Sequence, residues 1–208
     1  MNVKVCGITS LEQMQQLQEL DVDYAGMIFY DKSKRYVGEK SGNEKLKIKN
    51  CSLDKVGVFV NAHLKIVEDA IDDYGLSAVQ LHGDESVEFC TTLKGKVKVI
   101  KVFRLTGNEN VDELVAPFAD AADYFLFDTE SKSYGGTGKK FNWEILEDAK
   151  INKPFFLSGG IGLADAGKIK SFNHPYFFAV DVNSCFETAP GVKDLKKVEE
   201  FLKEVNGE

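Results

Sequence analysis

The chain has 208 residues, of which 43% are hydrophobic and 28% are charged, and its formal net charge is -7 at pH 7. This length suits one domain with a sizeable core, and no stretch reaches the roughly 18 uninterrupted apolar residues that a membrane span requires. The negative charge argues against a general affinity for nucleic acid, whose phosphates require clustered cations.

Eight short runs rich in β-branched and aromatic residues predict strands. In chain order they are residues 2–5, 24–29, 56–60, 78–81, 97–103, 124–127, 155–157 and 176–180. Amphipathic or charged stretches predict helices at residues 11–20, 64–74, 86–93, 111–118, 142–149 and 192–205. Residues 40–50 predict at most a short, lysine-rich helix.

The alternation of strands and helices predicts a parallel sheet, because a parallel partner strand is reached only through a crossover connection. Eight such units favour an α/β fold of the (β/α)8 TIM barrel type, with residues 1–208 as a single domain. No linker rich in Pro, Gly or Ser indicates a boundary. The main structural alternative is an open flavodoxin-like sheet, which normally has about five strands.

The first strand begins without the basic patch and long apolar stretch of a secretory signal, which predicts a cytoplasmic location. The four cysteines, Cys6, Cys51, Cys90 and Cys185, are far apart and form no CxxC pair. We therefore expect free thiols. No two histidines have metal-ligand spacing, so the sequence predicts no metal.

Cys6 stands where the first strand turns into a glycine loop. Side chains two apart share a face of a strand, so Lys4 points the same way, and a nearby cation favours the thiolate that acts as a base or nucleophile. The alternative is a small buried hydrophobic residue, which is the common fate of a free cysteine. The adjoining Gly7 and Thr9 favour a functional role.

Asp128 follows the apolar run 125–127 and lies at the end of the sixth strand. An apolar wall favours the neutral carboxyl, which suits a group that donates a proton. The alternative is a turn or helix cap formed by Asp128 and Thr129. The long, glycine-rich loop that follows favours the functional interpretation.

Two glycine loops could offer successive backbone N–H groups to a phosphate. The first contains Gly136 and Gly138, and the second contains Gly159 and Gly160. Neither has a Walker A or a GxGxxG pattern, so nucleotide binding is unsupported. Each loop alone could serve only as a turn, but loops at the end of a barrel often hold phosphate.

Three further polar residues follow predicted strands. Arg35 has the planar fork that suits a carboxylate, although a solvated charge run is the usual alternative. His82 could be structural, as a lone histidine near a turn often is. Asp181 is a candidate for substrate contact or for a turn cap.

Taken in order, these segments closely resemble the phosphoribosylanthranilate isomerase family of tryptophan biosynthesis. The motifs are KVCGIT at 4–9, SKRYV at 33–37, VGVFVN at 56–61, VQLHGDE at 79–85, FDT at 127–129 with GGTG at 135–138, LSGGI at 157–161, and AVDVNS at 179–184 with Glu187 and Pro190-Gly191. They span nearly the whole chain.

The resemblance implies an Amadori rearrangement without a cofactor, acting on a phosphorylated aminosugar. It makes Asp128 the general acid and Cys6 the general base. It also implies that Arg35 binds the anthranilate carboxylate and that His82 and Asp181 line the pocket.

The same resemblance assigns the phosphate to the loops around Gly136, Gly160 and Ser184, and it allows a monomer or a homodimer. One departure from the family is Cys185-Phe186, where many relatives have Gly and a small aliphatic residue. Two alternatives remain open: another phosphosugar barrel, such as indole-glycerol-phosphate synthase or a pentose-phosphate epimerase, and a non-catalytic phosphate-binding protein.

Overall fold

The protein was analysed as a computed structural model that describes residues 1–38, 53–130 and 140–207. The helix suggested for residues 40–50 lies outside these ranges, and so do Gly136 and Gly138. The cysteines within the described ranges, Cys6, Cys90 and Cys185, are free thiols.

Eight parallel strands close into a barrel, in which each strand pairs with the next along the chain and the eighth pairs with the first. The strands are β1 Asn2–Cys6, β2 Tyr24–Ile28, β3 Asp54–Phe59, β4 Ala78–Leu81, β5 Lys98–Leu105, β6 Tyr124–Thr129, β7 Phe155–Leu157 and β8 Phe177–Val182. The predicted (β/α)8 barrel is confirmed, and the open-sheet alternative is wrong.

Helices connect the strands on the outside of the barrel, where their apolar faces pack against the sheet. The α-helices are α1 Leu11–Glu19, α2 Leu64–Tyr74, α3 Val87–Leu93, α4 Val111–Val115, α5 Ala166–Ser171 and α6 Leu195–Asn206. Short 3-10 helices occupy Ala116–Phe118, Trp143–Leu146, Leu163–Asp165 and Ser184–Phe186. The longest described helix, α6, has 12 residues and is too short to cross a bilayer.

Two predicted helices differ from the structure. Residues 142–149 contain only the 3-10 helix Trp143–Leu146. In the predicted helix 192–205, the first two residues instead form a strand, β10 Val192–Lys193, which pairs antiparallel with β9 Glu187–Ala189. Helix α6 starts after Asp194, whose carboxylate accepts the Lys197 backbone N–H at 3.3 Å. This cap fixes the start of the helix.

Three strands extend beyond their predicted ends and thereby carry the candidate residues. The Cα of Cys6 pairs with Gly26, Asp128 pairs with Arg104, and Asp181 pairs with Lys4. The candidate groups are therefore fixed by strand pairing, which positions a side chain more rigidly than a loop does.

Aromatic rings fill the interior of the barrel toward the amino ends of the strands. Tyr24, Tyr124, Phe156 and Phe178 contact one another with ring centroids 5.2 to 6.1 Å apart. Burial, with Tyr124 adding to it, raises the pKa of Tyr24 to about 12. These rings make the interior at this end of the barrel a packed core, as is usual for the fold.

Candidate active site

A cavity opens at the carboxyl ends of the strands, where the active sites of (β/α)8 barrels lie. It encloses about 770 Å³, including its open mouth. Its lining includes most of the predicted site residues, which are Cys6, Arg35, His82, Asp128, Gly159, Gly160, Asp181 and Ser184. Cys6 and Asp128 thus lie in one cavity, on strands β1 and β6.

Cys6 lies against the backbone of β2. Its thiol reaches the space that a side chain at position 26 would occupy, because a Cβ on Gly26 would lie 2.7 Å from Sγ. Beneath it, Lys4 is fully buried and donates to Asp181 Oδ1 at 2.8 Å. Burial lowers the pKa of Lys4, but Asp181 and Cys6 outweigh it, and the net direction is upward. Lys4 therefore remains a cation beside the thiol.

The Cys6 thiol keeps its proton in the free protein. Burial raises the pKa of Cys6 above its usual value, and this effect exceeds the lowering by Lys4 and Lys193. The predicted cation is present and lowers the pKa of Cys6, but burial opposes it with the larger effect, since Cys6 is only 4% exposed. A buried thiol without solvent pays a desolvation cost when it ionises.

Asp128 has polar surroundings rather than the apolar wall that the sequence predicts. About 24% of its side chain is exposed, and Oδ2 lies 3.2 Å from His82 Nε2. Oδ1 accepts the Thr129 backbone N–H at 2.8 Å. Gln80 Nε2 lies 3.0 Å from His82 Nδ1, so its amide can donate there and leave the ring proton on Nε2, facing Asp128. These contacts hold the carboxyl group toward the cavity.

Asp181 is buried and lines the cavity together with the two candidate catalytic groups. Burial raises its pKa against the opposing effect of Lys4, and the charge of Asp128 adds to the increase. Ser158 Oγ lies 3.3 Å from its carbonyl oxygen and 3.5 Å from Oδ2. Asp181 is thus part of the cavity wall rather than a turn cap.

Arg35 is not a solvated charge, because Glu187 holds its guanidinium. Nε lies 2.8 Å from Oε1 and Nη2 lies 2.6 Å from Oε2 of that carboxylate. Burial raises the pKa of Glu187, but hydrogen bonds from Arg35 and Lys193 outweigh it, and the pKa is lowered. One edge of the guanidinium is therefore engaged, and the group faces the cavity in a fixed orientation.

Gly159 and Gly160 form a turn at the end of β7, with φ angles of +96° and +68°. Side chains rarely adopt these angles, and a Cβ on Gly159 would also lie 2.3 Å from Thr129 Oγ1. Successive N–H groups in such turns form anion-binding concavities. Ser184 lines the same side of the cavity.

The unusual Cys185-Phe186 pair is accommodated without filling the cavity. Phe186 is fully buried and contacts the Phe201 ring, with centroids 5.1 Å apart. Cys185 Sγ lies 3.7 Å from the Gly160 carbonyl oxygen. The larger side chains thus pack behind the glycine turn.

Several residues of the site were missed by the sequence analysis. Gln80 shares a strand face with His82, so the two-residue period of β4 could have identified it. Asn183 and Glu187 stand in the motif at 179–187 but were given no role, and the contact of Glu187 with Arg35 joins residues 152 positions apart. Lys193 lies in the predicted helix 192–205.

Comparison with known proteins places the whole chain in one family. The family model for N-(5'phosphoribosyl)anthranilate (PRA) isomerase matches residues 3–204. The N-(5'-phosphoribosyl)anthranilate isomerase of Parabacteroides distasonis is 39% identical over 208 residues, covering 99% of this chain and 93% of the relative. That of Thermotoga neapolitana is 40% identical over 210 residues, covering 99% and 98%.

Solved structures give the same result. Phosphoribosyl anthranilate isomerase from Thermotoga maritima superimposes with a TM-score of 0.88 at 32% identity, covering 100% of both chains. A second structure, of monomers derived from the dimeric Thermotoga maritima enzyme, has a TM-score of 0.84 at 32% identity and the same coverage. A third, in complex with reduced 1-(o-carboxyphenylamino)-1-deoxyribulose 5-phosphate, has a TM-score of 0.79 at 29% identity, again covering 100% of both chains.

Proposed function

This chain belongs to the N-(5'-phosphoribosyl)anthranilate isomerase family, and we propose that Cys6 and Asp128 are the base and the acid of its reaction. The enzyme is an isomerase of tryptophan biosynthesis and acts on a small phosphorylated substrate. The observation that supports the two roles most directly is their shared cavity, to which separate strands bring a thiol and a carboxyl group. The synthase and epimerase alternatives are wrong.

The proposed chemistry uses each group once. Asp128 protonates the furanose ring oxygen, the C1'–O bond breaks, and the anthranilate nitrogen stabilises the resulting iminium ion. Cys6, as thiolate, removes the proton from C2', and those electrons neutralise the iminium to give an enolamine. The C2' hydroxyl of the enolamine then loses its proton while C1' gains one, which gives the ketone at C2'. Acid and base must therefore lie on different sides of the pentose.

We assign the two ends of the substrate to opposite sides of the cavity. Arg35, already oriented by Glu187, faces the carboxylate of the anthranilate ring. The backbone N–H groups at Gly159, Gly160 and Ser184 hold the phosphate. The ligand of one solved relative, a reduced carboxyphenylamino deoxyribulose phosphate, carries both a carboxylate and a phosphate, which supports a substrate with two anionic ends.

The roles are tested by turnover. Cys6→Ala and Asp128→Asn should each reduce kcat by about 100- to 10,000-fold, as is typical when a general acid or base is removed. Loss of anthranilate-type fluorescence measures the rate, and circular dichroism checks the fold. Cys90→Ala is the matched control, because Cys90 is a buried thiol of α3 outside the cavity. Near-normal turnover in either site variant would contradict its role.

We further propose one domain over residues 1–208, a cytoplasmic location and a reaction without cofactor or metal. The match to the family model along the chain supports the single domain. We expect a monomer or a homodimer, because a relative from Thermotoga maritima is described as dimeric and has also been solved as monomers.

A further inference from the structure

The β9–β10 hairpin places a lysine inside the protein beside the cavity. The Lys193 side chain has no exposed surface. Its ammonium donates to Glu187 Oε1 at 2.7 Å, to Asn183 Oδ1 at 2.9 Å and to the Asn183 carbonyl oxygen at 3.3 Å. Three oxygen acceptors around one nitrogen match the three donors of an ammonium group.

This lysine is connected to the peptide that follows Cys6. Gly7 has a φ of +82°, and a Cβ there would lie 2.8 Å from Asn183 Oδ1 and 2.7 Å from Arg35 Cδ. Asn183, held by Lys193, and Arg35, held by Glu187, therefore fill the space that a side chain at position 7 would occupy. Burial lowers the pKa of Lys193, and the interactions with Glu187 and Cys6 oppose this shift. Lys193 in turn lowers the pKa of Cys6 against the larger effect of burial.

The charges around Cys6 do not balance when it is a neutral thiol. Four charged groups interact with Cys6, namely Lys4 from β1, Arg35 from the loop after β2, Asp181 from β8 and Lys193 from β10. A fifth group, Glu187 from β9, holds Arg35 and Lys193. His82 and Asp128, on the far wall, act on Asp181.

Together with Glu187, the four groups that interact with Cys6 comprise three cations and two carboxylates. A buried positive excess is unfavourable, and one more negative charge offsets it. The Cys6 thiolate is a group that supplies this charge.

We propose that Lys193 is a positioning residue for the reaction, one that holds Asn183 and, through Glu187, Arg35 beside Gly7 and supplies the positive charge that the Cys6 thiolate balances. The proposal rests on the role of Cys6 as base. Its rival is a purely structural lysine that fastens the hairpin to β8. The rival predicts lower stability when the lysine is removed, but no change in the ionisation of Cys6.

The test measures the thiolate directly. Iodoacetamide alkylation of the Cys6 peptide is followed by mass spectrometry from pH 6 to 10, in wild type and variants. Lys193→Met removes a positive charge, so alkylation should slow at least about threefold at a given pH, with the midpoint at higher pH. Glu187→Gln removes a negative charge with little change of shape, so alkylation should become faster.

Opposite changes in the alkylation rate would show an effect of charge. A loosened site would instead change the alkylation rate of both variants in the same direction. Lys193→Arg, which keeps the charge, should restore most of the reactivity and of kcat that Lys193→Met loses. Lys197→Met removes an exposed lysine of α6 and should leave the profile unchanged. Unchanged alkylation in Lys193→Met, or a shift of the same sign in both charge variants, would overturn the proposal.

If Lys193→Met does not fold, Glu187→Gln alone tests the proposal. Faster alkylation of Cys6 would support it, and slower or unchanged alkylation would overturn it. Alkylation does not depend on turnover, so this result stands apart from the proposed function. Near-normal turnover in Cys6→Ala would contradict the role of Cys6 as base, regardless of the alkylation result.

Discussion

Cys6 and Asp128 share a cavity but meet different surroundings. The thiol is buried and its pKa is raised, whereas the carboxyl group is partly exposed and contacts His82. The proposed reaction requires an ionised thiol together with a protonated carboxyl group. Raising the pH toward the raised pKa of the thiol therefore increases the fraction of Cys6 that can act as the base.

The pH dependence of turnover in the Asp128→Asn variant reports the ionisation of Cys6 alone. The amide in this variant does not titrate, so its residual turnover should follow the thiolate fraction and rise about tenfold per pH unit below the raised thiol pKa. Initial rates between pH 7 and 9 measure the slope. The double variant Cys6→Ala/Asp128→Asn should lose the slope. A flat or falling profile in Asp128→Asn alone would exclude Cys6 as the titrating base.

Single residues were predictable from the sequence where a local pattern exposed them. Lys4 and Cys6 follow from the two-residue period of a strand that ends at a glycine, and Asp128 from an apolar run of the same kind. Lys193 and Glu187 could not be found this way. Glu187 binds Arg35, which lies 152 residues away in sequence, and Lys193 falls in a stretch that was interpreted as helix.

At the level of elements, the approach of β1 to β2 determines where the thiol points. The Cα atoms of Cys6 and Gly26 are paired, and a Cβ at position 26 would lie 3.0 Å from the Cys6 Cα as well as 2.7 Å from Sγ. The strand backbone cannot move away, because β1 is paired on both sides. Gly26 thus leaves room for the Cys6 side chain.

Gly26→Ala and Gly57→Ala form a matched pair of variants. In β3, a Cβ on Gly57 would lie 2.5 Å from Leu76 Cδ1 and 2.8 Å from Phe59 Cε2, away from Cys6. Overpacking should destabilise both variants by about 1–3 kcal/mol in urea unfolding. Only Gly26→Ala should also reduce kcat, by at least about tenfold, because it displaces the thiol. Equal kcat values in the two folded variants would contradict this account.

The strands were easier to predict from the sequence than the helices and the residues at which the helices begin and end. Apolar β-rich runs between turns indicate a barrel strand, whatever surrounds it. Residues 192–193 are strand instead of helix because their partner, β9, pairs with them, and because Asp194 starts α6 only after them. Such pairing is a tertiary contact that periodicity does not encode.

On the scale of the whole molecule, the packed core and the candidate active site lie at opposite ends of the barrel. Aromatic rings pack the interior toward the amino ends of the strands, while the cavity occupies the carboxyl ends. Asp23 Oδ2 accepts the Val3 N–H at 2.8 Å, and Asp123 Oδ2 accepts the Val99 N–H at 2.9 Å. The same contact thus recurs at the start of β1 and of β5. The closed topology was predictable from the strand count, but these contacts were not.

Phe156→Ala tests this separation. Phe156 is 1% exposed and contacts Tyr24, Tyr124 and Phe178, so its truncation should lower the free energy of unfolding by about 3–5 kcal/mol. Urea unfolding measures the loss. At a temperature where the variant remains folded, kcat should stay within about threefold of wild type. A collapse of kcat in the folded variant would show that the two ends of the barrel are coupled.

The Lys4–Asp181 ion pair joins positions 177 residues apart. A ribosome adds roughly 5–20 residues per second, so about 9 to 35 seconds separate the synthesis of the lysine from that of its carboxylate. Throughout this interval β1 has no eighth strand to pair with, and the thiol of Cys6 belongs to a nascent chain without a pocket. Catalytic competence must therefore appear late in translation and all at once, when the barrel seam closes.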